Sequence, residues 1–413
     1  MRDSRIEING RLYRTPGRPT AVICLDGCDP AYLTRGIPDG ILPTIASFRN
    51  MGYFGYAEAV LPTFTNPNNM SIVTGTPPAV HGISGNYYLD RETGREVMIT
   101  DASMMRCETI LARMSHYGVP TAAITAKDKL RKMLGRNLAG ISFSSECANE
   151  ATTVENGIKG VEELVGRSKP DMYSADLSLY VLDAGLRLLG RQQAKLLYLS
   201  LSDYVQHTYA PGEPQSDAFL SAVDERVRRM IDLGALVGLV ADHGMNDKAK
   251  PNGEPNIVFL EEELERVFGQ GAARVICPIT DPFVRHHGAL GSFVRVYRRK
   301  TTDQQALMEV SASLPGIAAV IDGAEAAHRF EMPLDREGDF VVLADAHTVI
   351  GSTHAEHDLS GLAGHRLRSH GGLHEQRVPF ILSRALNQDY QLIAKGGHLR
   401  NFDIFDFALN GID

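Results

Sequence analysis

Short apolar runs recur along the chain, and several of them lead into acidic residues. Residues 20–25 (TAVICL) precede Asp26, residues 194–201 (AKLLYLSL) lead into Asp203, and residues 235–241 (ALVGLVA) precede Asp242. A continuous apolar run is typical of a strand that is buried on both faces of a parallel sheet. The three runs therefore predict strands of one buried sheet.

The segments between these runs carry helical periodicity, for example over residues 177–191 and 216–233. Alternating strands and helices favour an α/β fold, in which a mostly parallel sheet is flanked by helices on both faces. Ligands of such folds bind beyond the carboxyl ends of the strands. We therefore expect Asp26, Asp203 and Asp242 to meet at one edge of the sheet.

Residues 272–360 follow a different pattern. They predict a strand (291–297), a helix (303–313), a strand (317–321), a short helix (324–329) and a strand (340–344). This order is typical of a small α+β domain. We expect it to be inserted as a cap into a core formed by residues 1–271 and 361–413.

Composition narrows the classes of function. The chain has 413 residues, a formal net charge of -8 and 22% charged residues. A basic surface would be expected of a nucleic-acid-binding protein, so we expect no nucleic-acid partner. The N-terminal residues are polar, and no run approaches the roughly 18 apolar residues of a membrane helix. These features favour a cytoplasmic protein without a membrane partner.

The five cysteines form no CxxC pair and match no common zinc motif. Cys24 and Cys28 are close in sequence, but their spacing is not that of a redox motif. Free thiols in a reducing compartment are the expected state.

Two acidic and histidine motifs suit a borderline metal such as zinc. Asp203 and His207 can face one point if a helical turn begins between them. Asp242-His243 is a stronger candidate. Adjacent ligands that point to opposite sides of a chain need a sharp turn, which Gly244 permits. Taken alone, each motif also has an explanation without a metal. Asp203 could be an exposed aspartate near an unrelated histidine, and Asp242-His243 could be a helix cap followed by a chance histidine.

A candidate nucleophile lies in the segment LPTFTNPNNMSIVTG, residues 61–75. Thr65 precedes an apolar helix start, and the N-terminus of a helix favours phosphoryl oxygens. A threonine hydroxyl becomes a useful nucleophile when a metal lowers its pKa. An ordinary N-cap threonine has the same local sequence.

The remaining histidines do not by themselves identify a metal site. His370, in SHGG at 369–372, occupies a polar loop before a late apolar run at 378–382. By itself, the His370-Gly371-Gly372 sequence indicates only a flexible turn that contains a histidine. The others match no metal spacing and are expected at the surface or as hydrogen-bonded core residues: His81, His286, His287, His354, His357, His365 and His374.

Together these segments resemble a known family. LDG at 25–27, TNPN at 65–68, SIVTG at 71–75, HGI at 81–83, SDYVQH at 202–207, ADHGM at 241–245 and SHGG at 369–372 occur in order. They resemble the nucleotide pyrophosphatase/phosphodiesterase branch of the alkaline phosphatase superfamily. Within that branch, DGCDP at 26–30, FTNPNN at 64–69 and TAKDKL at 125–130 are most similar to the phosphonoacetate hydrolase family.

The resemblance implies an alkaline phosphatase-like core with two divalent metal ions, taken as Zn²⁺, with Mn²⁺, Fe²⁺ or Co²⁺ as alternatives. It also implies a homodimer. Thr65 would be the nucleophile and would form a phosphothreonine. The implied ligands are Asp203, His207 and His370 for the first metal, and Asp26, Asp242, His243 and Thr65 for the second.

The substrate implied by the resemblance is phosphonoacetate, a small phosphonate whose carbon–phosphorus bond is hydrolysed. Lys127 and Lys129 would bind its carboxylate, because both can reach one group if residues 127–129 are extended. Asn86 would donate to a phosphoryl oxygen. A solvated charged turn and a plain asparagine turn are the alternatives at these positions.

Three rival functions are weaker. A phosphodiesterase or nucleotide pyrophosphatase with the same metals would need an apolar or aromatic slot for a base instead of paired lysines. Residues 53–56 (YFGY) are a candidate for such a slot. A sulfatase would carry a cysteine or serine in a C/S-x-P-x-R motif, from which Thr65 departs. A non-catalytic phosphonate-binding protein would have lost a ligand or the nucleophile, and every expected position holds a competent residue.

Overall fold

The computed structural model describes residues 5–281, 288–362 and 365–413. Its centre is a seven-stranded sheet in which one strand, Arg377–Leu382, runs antiparallel to both neighbours. The strands lie in the order Tyr53–Glu58, Arg377–Leu382, Leu236–Val240, Thr20–Cys24, Leu196–Ser200, Thr121–Thr125 and Ile141–Ser144.

Every residue of the four strands in the middle of the parallel region is buried. Because successive side chains point to opposite faces of a sheet, both faces are covered. The strands predicted at residues 20–25, 194–201 and 235–241 are confirmed and are neighbours. This is the mixed α/β architecture expected from the sequence.

Helices cover the sheet. The predicted helices over residues 177–191 and 216–233 correspond to Ala175–Gly190 and Pro214–Asp232, which pack on each other and on the sheet. The other α-helices are Pro30–Gly36, Pro43–Met51, Thr65–Thr74, Pro78–His81, Ile110–His116, Asp128–Leu134, Thr153–Asn156, Val161–Val165, Tyr204–Thr208, Leu260–Phe268, Gln304–Ser313, Gly323–Arg329, Gln388–Lys395 and Ile404–Asn410.

A second sheet lies within residues 272–360 and has the strand order Ala273–Ile276, Phe293–Arg298, Phe340–Ala344 and Ile317–Asp322. The hydrophobic core around this sheet also includes four residues from outside the segment: Leu61, Phe64, Leu260 and Leu264. The remaining strands form pairs: Arg5–Ile8 with Arg11–Arg14, Tyr87–Asp90 with Arg95–Met98, Asn246–Asp247 with Arg368–Ser369, and Ile257–Phe259 with Val349–Gly351.

All five cysteines are free thiols. No helix in the described parts of the chain combines the length and the apolar character that a membrane crossing requires.

Candidate active site

Three carboxylates meet at the edge of the central sheet. Asp26, Asp203 and Asp242 each follow a strand of the parallel region, and the three strands are adjacent. All three side chains are buried. The edge at which the sequence predicted a site is therefore the edge at which these residues converge.

The first cluster consists of Asp203, His207 and His370, whose ligand atoms lie within 4.8 Å of one another. Asp203 immediately precedes the Tyr204–Thr208 helix, so the helical turn brings His207 Nε2 to 2.9 Å from Asp203 Oδ2. The predicted approach of this aspartate and histidine is confirmed. His370 Nε2 lies 3.9 Å from the same oxygen.

The second cluster consists of Asp26, Asp242 and His243, again within 4.8 Å. His243 Nε2 is 3.3 Å from Asp26 Oδ1 and 3.7 Å from Asp242 Oδ2. Asp242 and His243 are adjacent in sequence, and both side chains nevertheless reach this one cluster. Gly244 has no left-handed conformation, and Asp242 Oδ1 folds back to accept from the His243 N–H at 3.1 Å.

The three histidines are oriented in the same way. Each holds its Nδ1 atom against a backbone carbonyl, which can only accept, so in the neutral ring Nδ1 carries the proton. The carbonyls are those of Arg368 for His207 (2.7 Å), Gly244 for His243 (2.9 Å) and Thr63 for His370 (2.7 Å). The unprotonated Nε2 atoms therefore face the carboxylates, as in metal-binding histidines.

This arrangement fits divalent cations. Burial and the neighbouring Asp203 and Asp242 carboxylates raise the pKa of Asp26 well above its ordinary value. Burial and the adjacent His243 and His207 lower the pKa of His370. Asp26 Oδ1 has no hydrogen-bond partner among the described residues. Acceptors that face one another in a buried site need a cation between them, and aspartate with histidine is a donor set for zinc.

Thr65 is the first residue of the Thr65–Thr74 helix, and its Oγ1 lies 3.3 Å from His243 Nε2. Asn69, one turn later, donates to the Thr65 carbonyl (3.0 Å) and to Asp242 Oδ2 (3.2 Å). Its own Oδ1 accepts from Tyr198 and Ser200. This buried amide fixes the candidate nucleophile relative to the second cluster.

A cavity of about 70 Å³ opens in front of Thr65. It is lined by Asp26, Phe64, Thr65, Asn66, Asn86, Lys127, Lys129, Leu130, Leu201, Asp203, Ile279, Asp281 and His370. Of the predicted site residues, His207, Asp242 and His243 lie behind this surface, and the others line it. Its small size suits a small anion.

Lys127 and Lys129 both line the cavity, although residues 127–129 are not extended. Lys127 precedes the Asp128–Leu134 helix, and Lys129 lies in its first turn. Lys127 Nζ is 3.6 Å from Asp203 Oδ1, and Lys129 Nζ is 2.5 Å from Asp281 Oδ2. Burial lowers the pKa of Lys127, but Asp203, Asp26 and Asp281 raise it above its ordinary value, so it stays protonated.

Asn86 also lines the cavity. Its Oδ1 accepts from Asn66 Nδ2, and its Nδ2 donates to the Ile279 carbonyl at 3.2 Å. Asn66 belongs to the FTNPNN motif but was not singled out in the sequence. Ile279 and Asp281 lie in the 272–360 segment and follow no motif, so nothing in the sequence pointed to them.

The aromatic tract at residues 53–56 does not line this cavity. It forms part of the Tyr53–Glu58 strand at the edge of the central sheet. Of the other histidines, His81 is buried against Ser71 and the Ile83 N–H, and His357 is buried against Ser352. His286 and His287 lie outside the described residues.

Comparison with known proteins agrees with this geometry. Residues 20–373 match the family described as type I phosphodiesterase / nucleotide pyrophosphatase. Phosphonoacetate hydrolase from Sinorhizobium meliloti, solved in complex with phosphonoacetate and with phosphonoformate, is 42% identical over 100% of both chains, with a TM-score of 0.93.

Two further relatives match over shorter regions. An uncharacterised pyrophosphatase/phosphodiesterase from Schizosaccharomyces pombe is 25% identical over 251 residues, which are 58% of this chain and 46% of that protein. Phosphonoacetate hydrolase from Penicillium oxalicum is 69% identical over 29 residues, which are 7% of this chain and 40% of that sequence. The chain thus spans less than half the length of these two relatives.

The central sheet and its helices match the alkaline phosphatase-like fold of the structural neighbours. The family uses a dinuclear metal site, and the described residues hold two groups of candidate ligands. The chain therefore belongs to the type I phosphodiesterase/nucleotide pyrophosphatase family, within the alkaline phosphatase-like superfamily.

Proposed function

We propose that this protein hydrolyses the carbon–phosphorus bond of phosphonoacetate to acetate and phosphate. One observation carries the proposal: a small cavity brings Thr65, both candidate metal clusters and two lysines together. The full-length likeness to the Sinorhizobium meliloti enzyme, which was solved with phosphonoacetate, supports the choice of substrate.

The metal ligands in this proposal are those that the family resemblance implies. Asp203, His207 and His370 hold one ion, and Asp26, Asp242 and His243, together with Thr65, hold the other. Zn²⁺ is the proposed metal because aspartate and histidine suit it, with Mn²⁺, Fe²⁺ or Co²⁺ as alternatives. Bound divalent ions supply charge neutralisation for the phosphoryl oxygens and lower the pKa of a coordinated hydroxyl or water.

Thr65 acts as the nucleophile. Its hydroxyl releases its proton to solvent, and Oγ1 forms a bond to phosphorus while the bond from phosphorus to the methylene carbon breaks, which leaves a phosphothreonine. The electron pair goes to the methylene carbon, which takes a proton from solvent to give acetate. Hydrolysis of the phosphothreonine by water then releases phosphate and restores the Thr65 hydroxyl. Asn86 donates a hydrogen bond to a phosphoryl oxygen.

The chemistry of the leaving group gives a reason for two lysines in the cavity. A carbanion leaves only if its charge spreads into the adjacent carboxylate, so that carboxylate gains negative charge in the transition state. Cations aimed at it lower the barrier more than they strengthen ground-state binding. Lys127 and Lys129 are the cations that we assign to this role.

Residues 272–360 are proposed to act as a cap over the core formed by residues 1–271 and 361–413. Ile279 and Asp281 support this role, since both belong to this segment and line the cavity together with Thr65 and the lysines. Exclusion of water by a cap strengthens the electrostatic interactions inside. The homodimer and the cytoplasmic location stay predictions, to be tested by sedimentation and cell fractionation.

The alternative is a phosphodiesterase or nucleotide pyrophosphatase that uses the same dinuclear site. The family match favours it in general terms. Residues 53–56 lie away from the cavity and so do not supply a slot for a nucleotide base, and the two lysines that line the cavity favour a substrate with a second anionic group.

The test is phosphate release from phosphonoacetate by the purified protein, with and without a chelator. A nitrophenyl phosphodiester serves as the control substrate. We expect chelator-sensitive release from phosphonoacetate that returns when the metal is restored. Activity confined to the diester would move the protein to the phosphodiesterase alternative.

A further inference from the structure

A fully buried ion pair, Lys248 with Glu375, lies beside the two candidate metal clusters. The Nζ to Oε1 distance is 2.9 Å, and both side chains have an exposure of 0%. Burying two charges costs free energy that their attraction offsets only in part, so such a pair is weak evidence for stability. The role of the pair is therefore to be sought in the segments that it holds in place.

Glu375 contacts both loops that carry ligand histidines. Its Oε2 accepts from the Gly372 N–H at 3.0 Å, two residues after His370. Its backbone carbonyl accepts from the Gly244 N–H at 2.8 Å, one residue after His243. One residue thus links the two histidine loops, although these come from distant parts of the sequence.

The remaining contacts fix the Glu375 side chain. Its Oε1 accepts from Asn246 Nδ2 at 2.7 Å as well as from Lys248. Lys248 Nζ also donates to the Ala346 carbonyl at 2.9 Å, in the segment between the Phe340–Ala344 and Val349–Gly351 strands. The carboxylate cannot rotate without losing several of these hydrogen bonds.

The two histidines on these loops belong to different clusters. The rings of His243 and His370 are stacked, with centroids 3.6 Å apart and planes 7° apart. The spacing between the two clusters therefore depends on how the two loops sit relative to each other. Productive geometry in such sites tolerates shifts of only about 0.5 Å.

We propose that the Lys248–Glu375 pair is a positioning device that sets the spacing between the two metal sites. The inference rests on one part of the proposed function, namely that each of the two clusters binds a metal ion. It assigns Lys248 and Glu375 no contact with substrate. Their contribution is to the affinity and geometry of the dinuclear centre.

The experiment measures metal binding in Glu375→Gln and Lys248→Met. Metal-free protein is titrated with Co²⁺, and both the stoichiometry and the visible spectrum are recorded. Loss of a direct hydrogen-bond partner of a metal ligand typically weakens metal affinity by about 10- to 100-fold. Glu375 acts on the loops that carry the ligands and not on a ligand itself, so the lower end of this range, about 10-fold, applies. We expect such a loss for one or both ions, with an altered cobalt spectrum in the variant saturated with metal.

Glu337→Gln is the matched control. It breaks the Arg295–Glu337 pair, which is equally buried and has an Nε to Oε1 distance of 2.7 Å. In the described parts of the chain, Glu337 forms no hydrogen bond or ion pair with either histidine loop. We expect this variant to lose stability while keeping the Co²⁺ affinities and spectrum of the wild type.

Unchanged Co²⁺ affinities and spectra in Glu375→Gln would overturn the proposal, as would equal changes in Glu337→Gln. If the single variants do not fold, Lys248→Met/Glu375→Leu replaces the ion pair by apolar groups, which proteins often tolerate. This double variant should fold and still show weakened Co²⁺ binding, and wild-type binding would also refute the proposal. A wild type that binds two Co²⁺ ions but does not cleave phosphonoacetate would refute the proposed function alone.

Discussion

Removal of the Lys129 charge is the most direct test of carboxylate recognition. The Lys129 side chain is 12% exposed, lines the cavity beside Thr65 and contacts Asp281 at 2.5 Å. Because water is largely excluded, its interaction with a substrate carboxylate is only weakly screened. Lys129→Met keeps most of the side-chain volume and removes the charge.

The expected loss follows from the type of interaction. A hydrogen bond to a charged group contributes about 1.5–3 kcal/mol, which corresponds to roughly 10- to 150-fold in kcat/KM. Lys129 already interacts with Asp281, so the gain on binding substrate is reduced and the lower part of this range applies. We expect kcat/KM for phosphonoacetate to fall by about 10- to 50-fold.

The assay compares phosphonoacetate with a nitrophenyl phosphate ester, which lacks the carboxylate. Lys129→Met also leaves the Asp281 carboxylate near an anionic substrate, so Lys129→Met/Asp281→Asn is needed as a control for repulsion. We expect the ester rates to change by less than about threefold in the double variant, while the phosphonoacetate defect persists. Equal losses on both substrates, or wild-type phosphonoacetate rates in the double variant, would refute the assignment.

Three further predictions follow from the site and its surroundings. Thr65→Ala should abolish turnover while metal analysis still finds a largely intact metal content, because the other ligands of the second ion stay in place; substantial residual turnover would exclude Thr65 as the nucleophile. Asn69→Ala removes the amide that links Thr65 to Asp242, so kcat should fall by about 10-fold or more and urea denaturation should show a loss of about 1–3 kcal/mol; an unchanged kcat would contradict the positioning role. Burial, followed by the nearby Arg336 charge, lowers the pKa of His81 to about 3. The unfolded chain therefore binds the extra proton between about pH 3 and 6.5, and stability should fall as pH drops through that window. From pH 7 to pH 5 this amounts to about 2 kcal/mol, and His81→Gln should lose that much less in urea denaturation at the two pH values.

The sequence was most informative where chemistry follows directly from a buried strand. The apolar runs before Asp26, Asp203 and Asp242 were long enough to identify strands, and the parallel arrangement then required the three carboxylates to share one edge. The Asp203–His207 approach followed from helical geometry alone. His370 was different, because its loop precedes the antiparallel strand and only the family resemblance linked it to the others.

The residues that the sequence did not reveal act through long-range contacts. Asp281 reaches Lys129 from the second sheet region, and Glu375 joins loops that are far apart in the sequence. Neither has a periodic pattern or a local motif. The Asp242 side chain also accepts from the adjacent His243 backbone N–H, an interaction that periodicity does not encode.

Charge balance in the cavity bears on the choice between the two substrates. With two divalent ions bound, the three carboxylates of the clusters leave one net positive charge. Lys127 and Lys129 add two positive charges, and Asp281 removes one. A phosphodiester monoanion would leave part of this surplus uncompensated in a site from which water is excluded, which is unfavourable. Phosphonoacetate with one proton on its phosphonate carries two negative charges, which balance the surplus. The carboxylate end is then assigned to the lysines, because the phosphonate must face Thr65.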